Sequence, residues 1–206
     1  MHRLPLSDMH AAAARRIFEH GAGVLLLPVA PRGLSSAEET DLWQADRLEE
    51  ITDALSSVGR FAVLNADGVQ MLPPIDCPAP AAGTTVYIGE AWGEATTGTV
   101  YRASGGQRSP AGRWRPAHQM PAGAARTVLL VMGRRAMRLN DITQAIAERA
   151  GMPPAGGQGR VRWPVGGSGE ARRCLPDWWV RWTGRGWGPT LWCWAIEVRK
   201  CAGGRL

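Results

Sequence analysis

Apolar residues fall along this chain in short runs that alternate with polar, glycine- and proline-rich breaks. Val24 to Val29 is an apolar run interrupted by Pro28, the pattern of a buried strand. Phe61–Leu64 and Val69–Leu72 flank Asn65-Ala66-Asp67-Gly68, a turn signal that predicts a hairpin. Further strands are predicted at Thr84–Ile88, ending at Glu90, and at Thr99–Arg102 and Thr127–Met132. Arg134–Leu139 continues as a strand with exposed cations, and a last strand covers Thr190–Arg199. Three segments read as helices. Asp8–His20 has Asp8 as N-cap and Gly21 as C-cap. A second helical region starts at Ser35 or Ser36 and runs through Leu42, Leu48, Ile51 and Leu55, spaced to give one apolar face. The third is capped by Asn140 or Asp141 and runs to Arg149. Pro73–Gly83, Ser104–Gly112 and residues 152–170 read as loops.

This mixture predicts an α+β fold around a small barrel or curved sheet. At 206 residues and 45% hydrophobic content, one domain with a real core is expected. No apolar run approaches the length of a membrane span, and the N-terminus lacks the layout of a secretory signal. A soluble cytoplasmic protein is expected. Cys77, Cys174, Cys193 and Cys201 form no CxxC pair and no zinc-finger spacing with histidine, so they read as reduced structural thiols, with no metal and no cofactor.

The formal charge of +6 is carried by arginine, since Lys200 is the only lysine. Guanidinium groups fork onto phosphate oxygens and stack on bases, so the charge favours an anionic partner. A Schiff base or lysine general base would have to use Lys200.

The candidate chemistry is concentrated in Trp114 to Pro121 and in Glu90-Ala91-Trp92. Trp92 and Trp114 are candidates for stacking a base. Arg102, Arg115 and Arg126 are candidates for phosphate contact, in an arginine-dense stretch interleaved with Trp114. Glu90 is a candidate base or edge-recognising acceptor; its alternative is an ion pair with Arg102, Arg115 or Arg126. His118 is a candidate acid; its alternative is an imidazole tied to backbone. Trp178, Trp179 and Trp182 either dock a helix on the barrel or form an aromatic-basic surface.

The order of several segments resembles phage and prophage proteins of the ASCH domain group, in the PUA-like superfamily. Cys77-Pro78, Gly83, Val86-Tyr87-Ile88 and Glu90-Ala91-Trp92 are similar to that group's "CPYG-x-PGD-x-LWVRETW" segment. Tyr101-Arg102-Ala103 resembles "YRAD", and Trp114-Arg115-Pro116 with His118, Met120 and Pro121 resembles "WRPSIHMP". Ala125-Arg126-Thr127, Leu139 to Thr143 and Trp192 to Val198 resemble the later strand, helix start and closing strand. The resemblance implies a single PUA-like β-barrel domain over residues 1–206, flanked by helices, with a helical insertion at about 35–58 and a Gly/Pro-rich loop at about 152–170. It also implies RNA or modified-nucleobase binding. One branch of the group hydrolyses the amide of an acetylated cytidine with a lysine and a threonine placed after the first helix. Here that place holds Ala22-Gly23-Val24-Leu25-Leu26-Leu27, which has neither.

The expected function is a non-catalytic module that binds nucleic acid, RNA or single-stranded, or a modified nucleobase, stacking a base on tryptophan and contacting phosphate through arginine. The alternatives are a hydrolase acting on a modified nucleoside or on RNA using Glu90, and a phage-encoded protein that binds or inhibits a host complex.

Overall fold

The computed structural model describes residues 2–5, 17, 19–29, 34–51, 58–96, 98–102, 113–152, 171–183, 186–188 and 190–201. The chain is a mixed α+β protein, mostly strands with few helices, and its β-structure curls into a half-barrel. The main sheet has five strands: β1 (His2–Pro5), β6 (Thr85–Gly89), β9 (Val128–Arg138), β10 (Trp192–Lys200) and β2 (Ala22–Pro28), in that order. β1 pairs parallel to β6, and the other pairings are antiparallel. A second sheet holds β3 (Arg47–Ile51), β4 (Val58–Leu64) and β5 (Gln70–Pro80). β7 (Trp92–Ala95) and β8 (Gly98–Tyr101) form a separate hairpin. Among the described residues, the helices with full ranges are α1 (Ser36–Gln44), α2 (Gln144–Arg149) and α3 (Leu175–Thr183).

β10 shows how sequence places the core. Its side chains alternate between faces. Trp192, Trp194, Ile196 and Val198 pack against the three-stranded sheet, where Phe61 meets Trp194 with ring centroids 4.7 Å apart. Cys193 and Ala195 face the other way, onto Ile146 of α2 and Trp178 and Trp179 of α3. Both faces are covered, which is why this strand reads as nearly continuous apolar sequence. The Trp178 and Trp179 indoles therefore dock on the sheet, 5% and 1% exposed, while the Trp182 side chain lies outside the described residues.

Several predicted elements stand. The Asn65–Gly68 turn joins β4 to β5, with Gly68 at φ 77°. Gly21, at φ 75°, donates to Ile17 O at 2.8 Å, the geometry of a helix end. Asp8 and most of that first helix lie outside the described residues.

Other elements differ. The helical region predicted through Leu55 ends at Gln44. Its start is as expected: Ser35 and Glu38 form a reciprocal capping box. Its end is set by tertiary contacts. Arg138 of β9 donates to the carbonyls of Trp43 and Ala45, and Asp46 N–H donates to Leu64 O at 2.9 Å. The chain then runs as β3, with Leu48 turned inward and Arg47 and Glu49 outward. Residues 52–57 lie outside the described residues. Pro73–Pro80 is strand rather than loop: β5 lies at the edge of its sheet, where a proline's missing N–H breaks no ladder. α2 is capped by the Thr143 hydroxyl, with Asn140 and Asp141 in a preceding 3₁₀ turn.

The cations predicted to be exposed on β9 are also redistributed. The strand period turns Arg134 and Arg138 inward and leaves Arg135 outside. Arg134 is 5% exposed at its side chain and joins the two sheets: it bonds Glu50 of β3 at 2.5 and 2.9 Å and Ala79 O of β5 at 2.8 Å. Its guanidinium occupies the space beside Gly59 that a side chain would fill. Arg138 stacks on Trp192 with its Cζ 4.3 Å from the ring centroid. Burial holds its pKa below the usual arginine value.

Candidate functional site

β6 delivers Glu90 at its C-terminal end, and the β7–β8 hairpin follows at once. In that hairpin Trp92 and Tyr101 are directly opposed. Side chains opposed across an antiparallel pair share one face. The segment that starts at residue 113 returns alongside β7 and pairs with it once: Trp92 N–H donates to Arg115 O at 3.1 Å and Arg115 N–H to Trp92 O at 2.8 Å.

Two prolines then set the path. Pro116 and Pro121 each precede a single 3₁₀ turn, at Ala117–Gln119 and Ala122–Ala124, with φ of −69° and −73°. Proline's ring imposes φ near this value. The two turns carry Met120 and Ala125 into a small apolar cluster with Tyr87 and Trp92. The Tyr101 hydroxyl donates to Ala124 O at 2.6 Å and ties the second turn to β8.

The result is two parallel constructions, each with a carboxylate, an arginine and an aromatic ring. In the inner one, Arg126 donates from Nε and Nη2 to Glu90 at 2.6 and 2.8 Å, and its Cζ lies 4.4 Å from the Tyr101 ring centroid. In the outer one, Arg115 Nη1 lies 3.3 Å from Glu94 Oε1, and its Cζ lies 4.8 Å from the Trp92 ring centroid. Guanidinium stacks on an aromatic face through the ring quadrupole.

The two differ in solvent access. The Glu90 side chain is 11% exposed and Arg126 32%; Glu94 and Arg115 are 65% and 48% exposed. The hydrogen bonds to Glu90 raise the Arg126 pKa above its ordinary value, against a smaller opposing effect of burial.

The candidate residues are therefore distributed as follows. Glu90, Trp92, Arg115 and Arg126 are brought together. Trp92 is 4% exposed, with Arg115 over its ring; Trp114 is half-buried and keeps part of its surface in solvent. His118 is exposed on the first 3₁₀ turn. Arg102 is exposed and donates its backbone N–H to Ala91 O at 2.9 Å. The loop predicted at Ser104–Gly112 lies outside the described residues.

Glu94 and Tyr101 were not among the candidates read from sequence. The signal for Glu94 is the strand period: Trp92 and Glu94, two residues apart, share a face, so a cation stacked on one reaches the other.

An exposed guanidinium on a ring can exchange its carboxylate for another anion. Among the described residues no three His, Cys, Asp or Glu side chains cluster to hold a metal ion, and no helix is long and apolar enough to cross a membrane. No protein-family profile, curated protein or solved structure matches the chain.

Proposed function

We propose that this protein is a PUA-like, ASCH-type module that binds RNA or another single-stranded nucleic acid, or a modified base within it, by recognition rather than catalysis. The observation that carries this reading is Arg115: an exposed guanidinium stacked on the buried Trp92 ring, next in sequence to the half-buried Trp114. A cation beside an aromatic surface is how single strands are held, phosphate to arginine and base to ring. Trp114 is the stacking surface, and Trp92 is the support that holds Arg115.

Two features favour recognition over hydrolysis. Glu90 is engaged by Arg126 through both oxygens. The stretch that replaces the lysine and threonine of the hydrolytic branch is β2, whose Val24, Leu25 and Leu26 are core residues.

The test is fluorescence anisotropy with a labelled single-stranded RNA of about ten nucleotides over a salt series. The protein binds it, and affinity falls as salt rises. Trp114→Ala weakens binding at all salt concentrations. Arg115→Ala weakens it and flattens the salt slope by about 0.7, the value for one phosphate contact on a single strand. Binding unchanged by both substitutions overturns the proposal.

A further inference from the structure

We infer that Glu94 occupies the phosphate position of the nucleic-acid site, so that a single strand binds by displacing this carboxylate from Arg115. The inference rests on the proposed function and names how its site is regulated.

The two arginine pairs of the site are built differently. Arg126 holds Glu90 through two bonds at 2.6 and 2.8 Å, with the carboxylate 11% exposed. Displacing Glu90 would leave a largely buried carboxylate without its cation, so no incoming anion competes well there. Arg115 Nη1 meets Glu94 Oε1 at the longer distance of 3.3 Å, with both side chains about half exposed or more. An exposed pair of this kind is weak, and solvent and other anions reach both partners.

The aromatic contact makes the exchange productive. Arg115 is positioned by Trp92 as well as by Glu94, and its backbone is fixed by the two bonds to Trp92. Losing Glu94 leaves the guanidinium stacked and oriented. A phosphodiester presents two oxygens to the same fork that receives a carboxylate. Glu94 is thus an internal anion that keeps Arg115 ordered without a ligand and sets a threshold for ligands with one isolated charge. A single strand, which adds base stacking on Trp114 to its phosphate contact, exceeds that threshold; a free phosphate ion does not.

The experiment measures the same labelled RNA against Glu94→Gln, a substitution at an exposed strand position. Glu94→Gln binds about two- to tenfold more tightly, the range for releasing an exposed ion pair. Its salt slope steepens by up to about 0.7. In an Arg115→Ala background the gain disappears. Glu49→Gln, which removes a similarly exposed carboxylate paired with Arg47 on β3, leaves affinity unchanged and controls for net charge. Inorganic phosphate competes only at about millimolar concentrations or above.

Wild-type binding with no gain in Glu94→Gln overturns the inference and leaves the proposed function standing. An equal gain in Glu49→Gln, or a gain that persists without Arg115, also overturns it. Absence of RNA binding by both wild type and Glu94→Gln overturns the inference and the proposed function together.

Discussion

Glu90 accepts two hydrogen bonds from Arg126, at 2.6 and 2.8 Å, and the same guanidinium lies against the Tyr101 ring. This contact fastens the 113–127 segment to the end of β6. Replacing one partner leaves the other half-buried charge without its counter-ion. Glu90→Gln therefore lowers stability by about 1–2 kcal/mol, reduced from the fully buried case because Arg126 keeps solvent access. Urea denaturation measures this. A double-mutant cycle with Arg126→Met returns a coupling of similar size. A cycle with no coupling would show that the pair does not hold the segment.

Gly59 is a second position where one atom decides the packing. A Cβ there would lie 2.3 Å from Arg134 Cζ and 2.5 Å from its Nε. The guanidinium cannot yield without leaving Glu50 and Ala79 O, since its side chain is only 5% exposed. Gly59→Ala lowers stability by about 2–3 kcal/mol, the range for breaking a buried polar network. Gly123→Ala, where nothing lies within 4 Å, is close to neutral. Thermal denaturation of the two variants side by side checks the contrast.

The elements legible in the sequence are those whose cause is local. The apolar runs of β2 and β10, the Asn65–Gly68 turn, the Ser35–Glu38 capping box and the positive-φ Gly21 all follow from neighbours a few residues away. The failures have remote causes. Leu48 and Ile51 fit a helical face, but β4 and Arg138 claim that segment for a strand. The prolines of β5 read as loop because their position at a sheet edge is a property of the whole sheet. Arg134 is inward because its partner Glu50 lies 84 positions away, beside a glycine that leaves room for it. At the candidate site, the Trp114–Pro121 and Glu90–Trp92 segments were visible as composition. Which arginine meets which carboxylate was not, because Arg126–Glu90 spans 36 positions and Arg115–Glu94 spans 21.

The cysteines provide a pH-dependent test. Burial pushes the Cys77 thiol up to about 11 and the Cys193 thiol up to about 12, from an ordinary value of 9.0. The folded state keeps protons that the unfolded chain releases above pH 9. Their contribution is complete below about pH 9 and is lost as pH rises toward 11 and 12. Each group removes about 1 kcal/mol of stability between pH 8 and pH 10. The Cys77→Ala, Cys193→Ala double variant loses less stability over that interval than wild type. In native protein, alkylation followed by mass spectrometry finds Cys174 and Cys201 modified first, because both keep solvent exposure. Equal pH slopes for the two proteins, or early modification of Cys193, would contradict the burial argument.

Trp92 separates support from recognition. Its ring is 4% exposed and carries Arg115, while its indole Nε1 is buried with no hydrogen-bond acceptor among the described residues. A buried donor without an acceptor is itself destabilising. Trp92→Phe removes that donor, keeps an aromatic face for Arg115 and leaves a small cavity, so the two effects oppose each other. It changes stability by less than about 1.5 kcal/mol, whereas Trp92→Ala costs about 3–5 kcal/mol. The same pair distinguishes the roles in binding. Trp92→Phe retains RNA affinity, because the ring that stacks a base is Trp114 and the ring beneath Arg115 is still present. Calorimetric unfolding and RNA titration of Trp92→Phe and Trp114→Ala measure both. If Trp92→Phe abolishes binding in a folded protein, Trp92 touches the ligand directly, and the division between supporting and recognising tryptophan is wrong.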